Sequence, residues 1–460
     1  MTEAALLWAP RAWLPSGWRE GVLLEVDRDG SWARVTADVP QVPTGATALA
    51  GPMIPSLVDG HSHAFQRAFA GLAEHRESAE DDFWSWRDRM YRVALRITPE
   101  HLRSIAAQLY VELLHGGYTQ VCEFHYLQHD RNGSAYADSL DLSWALADAA
   151  ADAGIGLTML PVLYERAGFD QPELRDDQRR FRMSAQDVWA AYRRVAASGR
   201  PMLRAGLAIH SLRAAAPSSI GALRALADGD TSPIHIHVAE QTREVDDCLG
   251  ATGSRPIEWL AREGLLDSRW HLVHATHATR GEIESAARSG AAVIVCPSTE
   301  ANLGDGFCDL DALIDAGLPI TIGSDSNVTR DWREELRWLE YAQRLKLRRR
   351  NIAARPRAGV FSTTESLLTR ALGGAAAGEP AWGLLPGARA DALVVDAQAP
   401  GVLGVAAPQF LDALVFSTPG ESWRDVMVAG RWVVRDHRHA QGLAIAQRFQ
   451  RAMEAIWSER

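Results

Sequence analysis

Lysine is almost missing from this chain: Lys346 is the single one, and every other basic side chain is arginine. Cysteine is scarce as well. Cys122, Cys248, Cys296 and Cys308 show no CxxC spacing and sit in apolar or helical surroundings, so ordinary reduced thiols are expected, not disulfides or thiolate metal sites. No run of 18 apolar residues occurs, and the start, MTEAALLWAPRAWLPSGWRE, has Glu3 where a secretory leader would carry basic charge. A cytoplasmic protein with no membrane partner is the expectation. A concentrated basic face is lacking too. The formal net charge is −10, and the only dense basic run, RLKLRRR (344–350), reads as a solvated helix face, which argues against nucleic acid as a partner.

Set against these absences, the apolar content of 47% and charged content of 23% are those of a globular protein and exclude a disordered or fibrous class. At 460 residues there is room for one large catalytic domain and a smaller one.

Between about residues 53 and 325 one arrangement recurs: a short apolar, β-branched run, a polar loop, then a longer amphipathic stretch. Eight such runs occur: MIPSLVDGH (53–61), TQVCEFHY (119–126), IGLTMLPVLY (155–164), LRAGLAIHS (203–211), PIHIHVAE (233–240), WHLVHAT (270–276), AAVIVCPS (291–298) and PITIGSD (319–325). Helices are predicted over 99–116, 136–153, 184–198, 241–263, 280–289 and 308–317. Strands apolar on both faces, alternating with helices, fit a closed parallel barrel. A doubly wound open sheet is the alternative, but no GxGxxG or phosphate loop follows any strand, and polar residues gather at strand C-termini, where barrels keep their chemistry. Residues 5–50 and 384–436 differ, with short alternating segments and many turn residues. They read as two pieces of one small β-domain, with GGAAAGEPAWG (373–383) as the best boundary.

Metal-binding side chains collect at the ends of four of these runs. His61 and His63, two apart on a strand end, point to one side. The fifth run ends with His237 and Glu240, the sixth supplies His271, His274 and His277, and the eighth ends at Asp325. Imidazole and carboxylate donors suit zinc, and a site of three or four of them with an open position holds a catalytic water. Such an ion lowers the pKa of its water from 15.7 to about 7. With a carboxylate to carry protons, the constellation suits hydrolysis at an sp² carbon bonded to nitrogen.

With the barrel, the split β-domain, the HxH pair and the donors on strands five, six and eight, the chain resembles the amidohydrolase superfamily over nearly its whole length. The resemblance implies a (β/α)8 TIM-like barrel over 53–383, a small β-sandwich domain built from both chain ends (1–52 and 384–445) and a C-terminal helix (446–460). It implies His61, His63, His237 and Asp325 as metal ligands, His274 beside the bound water or substrate, and Glu240 as proton shuttle. Many relatives hold two metals bridged by a carboxylated lysine from the fourth strand. Here that strand ends AIHSLR and the sole lysine lies beyond the eighth, so one Zn²⁺ per subunit is expected, with other divalent metals possible.

More specific strings, HSHAFQRAFAGLAE (61–74), EFHY (123–126), HSLRAA (210–215), CPSTEANLGDG (296–306) and EELRWLEYAQRL (334–345), resemble the formimidoylglutamate deiminase branch of that superfamily. That likeness implies deimination of N-formimino-L-glutamate to N-formyl-L-glutamate and ammonia in histidine degradation, by a homodimer. It makes Gln66, Arg87, Tyr126 and Arg213 substrate contacts, with His210 close by. Guanidinium forks suit a dicarboxylate because each makes two parallel charge-assisted hydrogen bonds. Arg87 lies in DDFWSWRDRMYR (81–92), which reads as a lid, although an ion pair to Asp88 or Asp82 would also account for it. His125 should face away from Tyr126 by strand alternation, and His437 and His439 read as solvent-exposed. Two departures from the branch stand out, Asn327 in GSDSN and Asp59 in LVDGHSH. The competing readings are a zinc deaminase of another amidine or a nucleobase, such as guanine or an adenosine derivative, and a catalytically inactive barrel used for binding.

Overall fold

The computed structural model describes residues 5–75, 83–418 and 420–458. Eight parallel strand positions follow one another in sequence and in space: Leu57–Ser62, Tyr118–His125, Gly156–Leu163, Leu203–Ala205 with Leu207–Ile209, Ile234–Val238, Trp270–His274, Ala292–Val295 and Ile320–Ile322. Nearly every residue of these strands is buried, because one face fills the barrel interior and the other meets the helices. The last strand returns to the first through a Ser62–Asp325 bridge, in which Asp325 N–H donates to His61 O at 2.8 Å and His63 N–H to Asp325 O at 3.1 Å. The barrel therefore closes at the residues that carry its donor side chains.

Helices form where apolar periodicity meets a cap. Thr98 accepts a hydrogen bond from His101 N–H and Pro99 opens the helix Pro99–His115, while Thr279 and Glu282 make a reciprocal capping box on Arg280–Ser289. The predicted helix over 241–263 is instead two, Thr242–Thr252 and Pro256–Arg262. Gly253, at φ +72°, ends the first and Pro256 can only begin the second. Over 136–153 the helix starts at Asp141.

A second sheet of nine strands takes Ala5–Leu14, Gly17–Val26, Trp32–Thr36, Thr47–Ala48 and Met53–Ile54 from one end of the chain and Ala392–Val395, Trp423–Val428, Arg431–Arg435 and Arg438–His439 from the other. It has its own apolar core of Leu7, Val22, Leu24, Trp32, Val394 and Met427. Met53 and Ile54, which open the first predicted run, pair with this sheet, and the barrel strand begins only at Leu57. The GGAAAG stretch is the floor of the barrel. Ala376 O accepts from His235 Nε2 at 2.9 Å and Ala377 O from Thr158 Oγ1 at 2.9 Å, which satisfies polar groups that face the closed end. The helix Gly442–Ser458 lies against the barrel, with Arg448 bonded to Asp152 at 3.1 Å.

His437 and His439 are not solvent-exposed. Each is half-buried and engaged, His437 with Asp396 at 3.3 Å and His439 with Ala153 O at 2.8 Å, because the last hairpin folds back onto its neighbours. No helix among the described residues is long and apolar enough to cross a membrane.

Candidate active site

At the C-terminal mouth of the barrel, three imidazoles and one carboxylate converge. His61 Nε2 is 2.9 Å from His237 Nε2 and 3.2 Å from His63 Nε2, and Asp325 Oδ1 is 3.5 Å from His61 Nε2 and 3.3 Å from His63 Nε2. Burial, with the neighbouring imidazoles, holds His63 down to about 3, His237 well below the ordinary histidine range and His61 lowered. Neutral imidazoles aim lone pairs, and lone pairs crowded this closely call for a cation between them. Bonds of about 2.0–2.1 Å in a tetrahedron place donors about 3.3 Å apart. His61, His63 and Asp325 offer donor atoms within 4.8 Å of one another, and His237 joins them through His61, in a second group with His274, so these side chains could hold a metal ion. His63 is oriented for it, because Nδ1–H donates to Phe124 O at 3.0 Å and leaves Nε2 free.

Asp325 is held well below the usual carboxylate range: burial pushes it up, but His61, His274 and His63 outweigh that. His274 Nε2 lies 3.7 Å from Glu240 Oε1 and 3.9 Å from Asp325 Oδ2. Its Nδ1 is 3.4 Å from Glu300 Oε1. Burial lowers its pKa, yet the carboxylates of Glu240, Glu300 and Asp325 bring it to about 10. Glu240 is pushed up to about 7, chiefly by burial. The turn that presents it is strained, with Ala239 at φ +53°, and is pinned by the Glu244 carboxylate, which accepts from the amides of Ala239 and Glu240 at 3.1 Å each.

A small cavity opens above this cluster, and Gln66, Arg87, Tyr126, His210 and Arg213 all line it. Gln66 Nε2 donates to Tyr126 Oη at 3.1 Å, and its Oε1 has no partner among the described residues. Arg213 and Arg87 both reach the ring of Trp84, with guanidinium carbons 5.8 and 4.5 Å from its centre. Arg213 Nη1 and Arg87 Nε are buried without an acceptor among the described residues. Asp88 is paired with Arg175 at 3.1 Å, so it does not account for Arg87, and Asp82 lies outside the described residues. The lid stretch is the helix Phe83–Ala94 from its third residue onward; 81 and 82 also fall outside that description. His125 does not line the cavity, whereas Tyr126 does. His271 packs against His235, ring centroids 4.9 Å apart, away from the cavity.

Several functional positions escape a reading of spacing alone. Glu300, in CPSTEAN, reaches His274 from the helix after the seventh strand and also accepts from Cys296 N–H at 2.9 Å. Asp59 accepts from Ser324 N–H at 2.9 Å and Ser324 Oγ–H at 2.6 Å, and burial, ahead of those bonds, pushes it up to about 7. Asn327, at φ +61°, donates to His63 O and Asp325 O at 3.1 Å each. The two departures noted in the sequence thus face each other through Ser324 and lock the closing seam. Gly323 belongs to the same seam: a Cβ there would meet His61 Cβ at 2.8 Å and His61 O at 2.9 Å. Gly323→Ala is expected to cost about 1–3 kcal/mol of stability and to lower bound metal below one ion per chain, measured by thermal unfolding and elemental analysis. An unchanged metal content would detach the seam from the metal site.

The sequence pattern of the amidohydrolase family matches residues 53–433. The chain is 45% identical over 438 residues to the formimidoylglutamate deiminase of Pseudomonas aeruginosa, covering 94% of this chain and 95% of that protein. It is 29% identical over 387 residues to the 5-methylthioadenosine/S-adenosylhomocysteine deaminase of Natronomonas pharaonis, covering 84% and 81%. Among solved structures, an amidohydrolase from Brucella melitensis superposes with a TM-score of 0.92 at 38% identity, covering 98% of this chain and all of that one.

Proposed function

The chain belongs to the amidohydrolase family, and from that premise we propose that it hydrolyses the formimino group of N-formimino-L-glutamate, with release of ammonia and formation of N-formyl-L-glutamate, a step of histidine degradation. One observation carries the choice of substrate: two guanidiniums, Arg87 and Arg213, each with a buried N–H that has no acceptor among the described residues, share a cavity with the His/Asp cluster. Buried guanidiniums call for carboxylates. The 45% identity to a formimidoylglutamate deiminase supports the same reading.

His61, His63, His237 and Asp325 would hold one divalent ion, which we assign as zinc from the imidazole and carboxylate chemistry of these donors. When bound, such an ion acidifies a water and polarises the carbon under attack. The protein's own groups do the rest. Gln66 and Tyr126 bracket the reacting end, and Arg87 and Arg213 fix the acid end, so the formimino carbon is presented to the cluster. Glu240 carries the two protons of the attacking water to the departing nitrogen in turn, the first on attack and the second from the hydroxyl as the carbonyl forms, so that nitrogen leaves as ammonia while the second C–N bond survives. His274, anchored through Nδ1 by Glu300, faces the charge that develops on the attacking oxygen. Phe307, Trp338, Tyr341 and Leu345 are exposed near one another on and beside the helix Trp332–Leu347 and support assignment of a homodimer.

The 29% identity to a nucleoside-derivative deaminase favours a second reading, deamination of a purine. The two are separated by ammonia release from N-formimino-L-glutamate, 5-methylthioadenosine and guanine. Turnover of the first alone is expected; turnover of a purine without the first would overturn the proposal. Asp325→Ala and His237→Ala are each expected to purify with far less than one zinc per chain while keeping the secondary structure. Wild type without stoichiometric metal would favour an inactive scaffold.

A further inference from the structure

Behind Arg87 and Arg213 lies a closed triangle of polar side chains from three separate elements. Tyr91 belongs to the lid helix, Tyr164 follows the third barrel strand, and Gln178 sits in the short helix Asp176–Phe181. All three are buried, Tyr164 and Gln178 completely. The Gln178 amide is fixed in direction, because Oε1 accepts from Arg175 N–H at 3.0 Å. Its Nε2 must then donate, and it does so twice, to Tyr164 Oη at 2.9 Å and to Tyr91 Oη at 3.2 Å. The two phenol oxygens are 3.2 Å apart, so one donates to the other.

This leaves a surplus. Two phenols carry two hydrogens, one is used between them, and neither of the Gln178 hydrogens can receive the other. One phenolic O–H has no acceptor among the described residues, and Tyr91 lines the same cavity as Arg213 and Arg87, whose Nη1 and Nε have none among them either. Arg87 and Tyr91 are one helical turn apart on the lid helix, the guanidinium carbon 5.6 Å from the ring centre. Tyr164 and Tyr91 both act on the charge of Arg213, and burial keeps both Tyr164 and Tyr126 protonated well above the ordinary phenol range. Three orphaned donors around one space are costly unless an anion completes them.

We propose that Tyr91, Tyr164 and Gln178 complete a carboxylate-binding subsite with Arg87 and Arg213, in which Gln178 forces one tyrosine hydroxyl to point its hydrogen at a carboxylate of the substrate. The subsite determines specificity and takes no part in bond cleavage. It deepens the reading of the substrate as a dicarboxylate and rests on it.

The test compares the metal-loaded wild type with Tyr91→Phe/Tyr164→Phe. The pair must be removed together, since a lone remaining phenol no longer spends its hydrogen on its neighbour. Three substrates are used: N-formimino-L-glutamate and its analogues lacking the α- or the side-chain carboxylate. The double variant should lose about tenfold or more in kcat/KM on the parent, through KM, and lose nothing on one of the two analogues. Calorimetric binding of N-formyl-L-glutamate should weaken by a similar factor. Equal losses on all three substrates, or no loss, would overturn the subsite and leave the triangle as packing. If the double variant does not fold, the same comparison is made on Gln178→Met, which removes the donor that forces the hydroxyl outward, with the same two outcomes. Wild type that binds N-formyl-L-glutamate but does not deiminate the parent would refute the proposed reaction while the calorimetry still decides the subsite; wild type that binds no dicarboxylate would refute both.

Discussion

Glu240→Gln should lower kcat by about 10²–10⁴-fold while KM and bound metal stay near wild type. Glu240 lies 3.7 Å from His274 Nε2 and is not one of the four converging donors, so the amide keeps shape and hydrogen bonding but not the ability to accept and return a proton. The pH profile should change with it. Burial raises the Glu240 pKa to about 7, so the ionised base is lost as pH falls through about 7, well above where an exposed carboxylate titrates. Wild-type kcat/KM should therefore drop on the acid side with a midpoint near neutrality, and the residual rate of the glutamine variant should lack that limb. Loss of metal in the variant, measured on the same sample, would instead make Glu240 a ligand.

Arg213→Met should separate the dicarboxylate reading from a purine deaminase. The guanidinium is buried and lines the cavity with Nη1 lacking an acceptor among the described residues, and methionine replaces its length without its charge. Hydrogen bonds to charged groups contribute about 1.5–3 kcal/mol, so removing one bidentate clamp is expected to reduce kcat/KM on N-formimino-L-glutamate by about 10²–10³-fold, mostly through KM. Arg87→Met should act in the same direction with a smaller effect, because Arg87 is only partly buried. A neutral purine would gain nothing from either guanidinium. An Arg213→Met protein with wild-type kcat/KM on the glutamate derivative would contradict the assignment of the acid end.

The parts of the fold that could be read in the sequence are those written in short-range pattern. Strand runs such as TQVCEFHY and AAVIVCPS are apolar on both faces because both faces are covered, and the donors sit at the strand ends where a barrel opens. The cavity-lining role of Gln66, Arg87, Tyr126 and Arg213 came from a resemblance of strings, not from spacing. The remainder is made by contacts across long stretches of chain. Asp59 meets Ser324 over 265 positions, and nothing near either residue announces the other. Glu300 looks like an ordinary first-turn helix acid until the helix is placed beside His274. Gln178 and Tyr91 carry no local signal at all, since a buried glutamine gains its meaning only from the hydrogen bonds around it. The split at Gly253 and Pro256 was written locally, and reading 241–263 as one helix overlooked two breakers three residues apart.

The most direct test of the central claim is a product balance. Metal-loaded protein is incubated with N-formimino-L-glutamate, and ammonia, N-formyl-L-glutamate, formamide and L-glutamate are quantified together. Ammonia and N-formyl-L-glutamate in equal amounts are expected, because Glu240 delivers its proton to the terminal formimino nitrogen. Formamide with L-glutamate would show that the other C–N bond breaks and would contradict the account of the site.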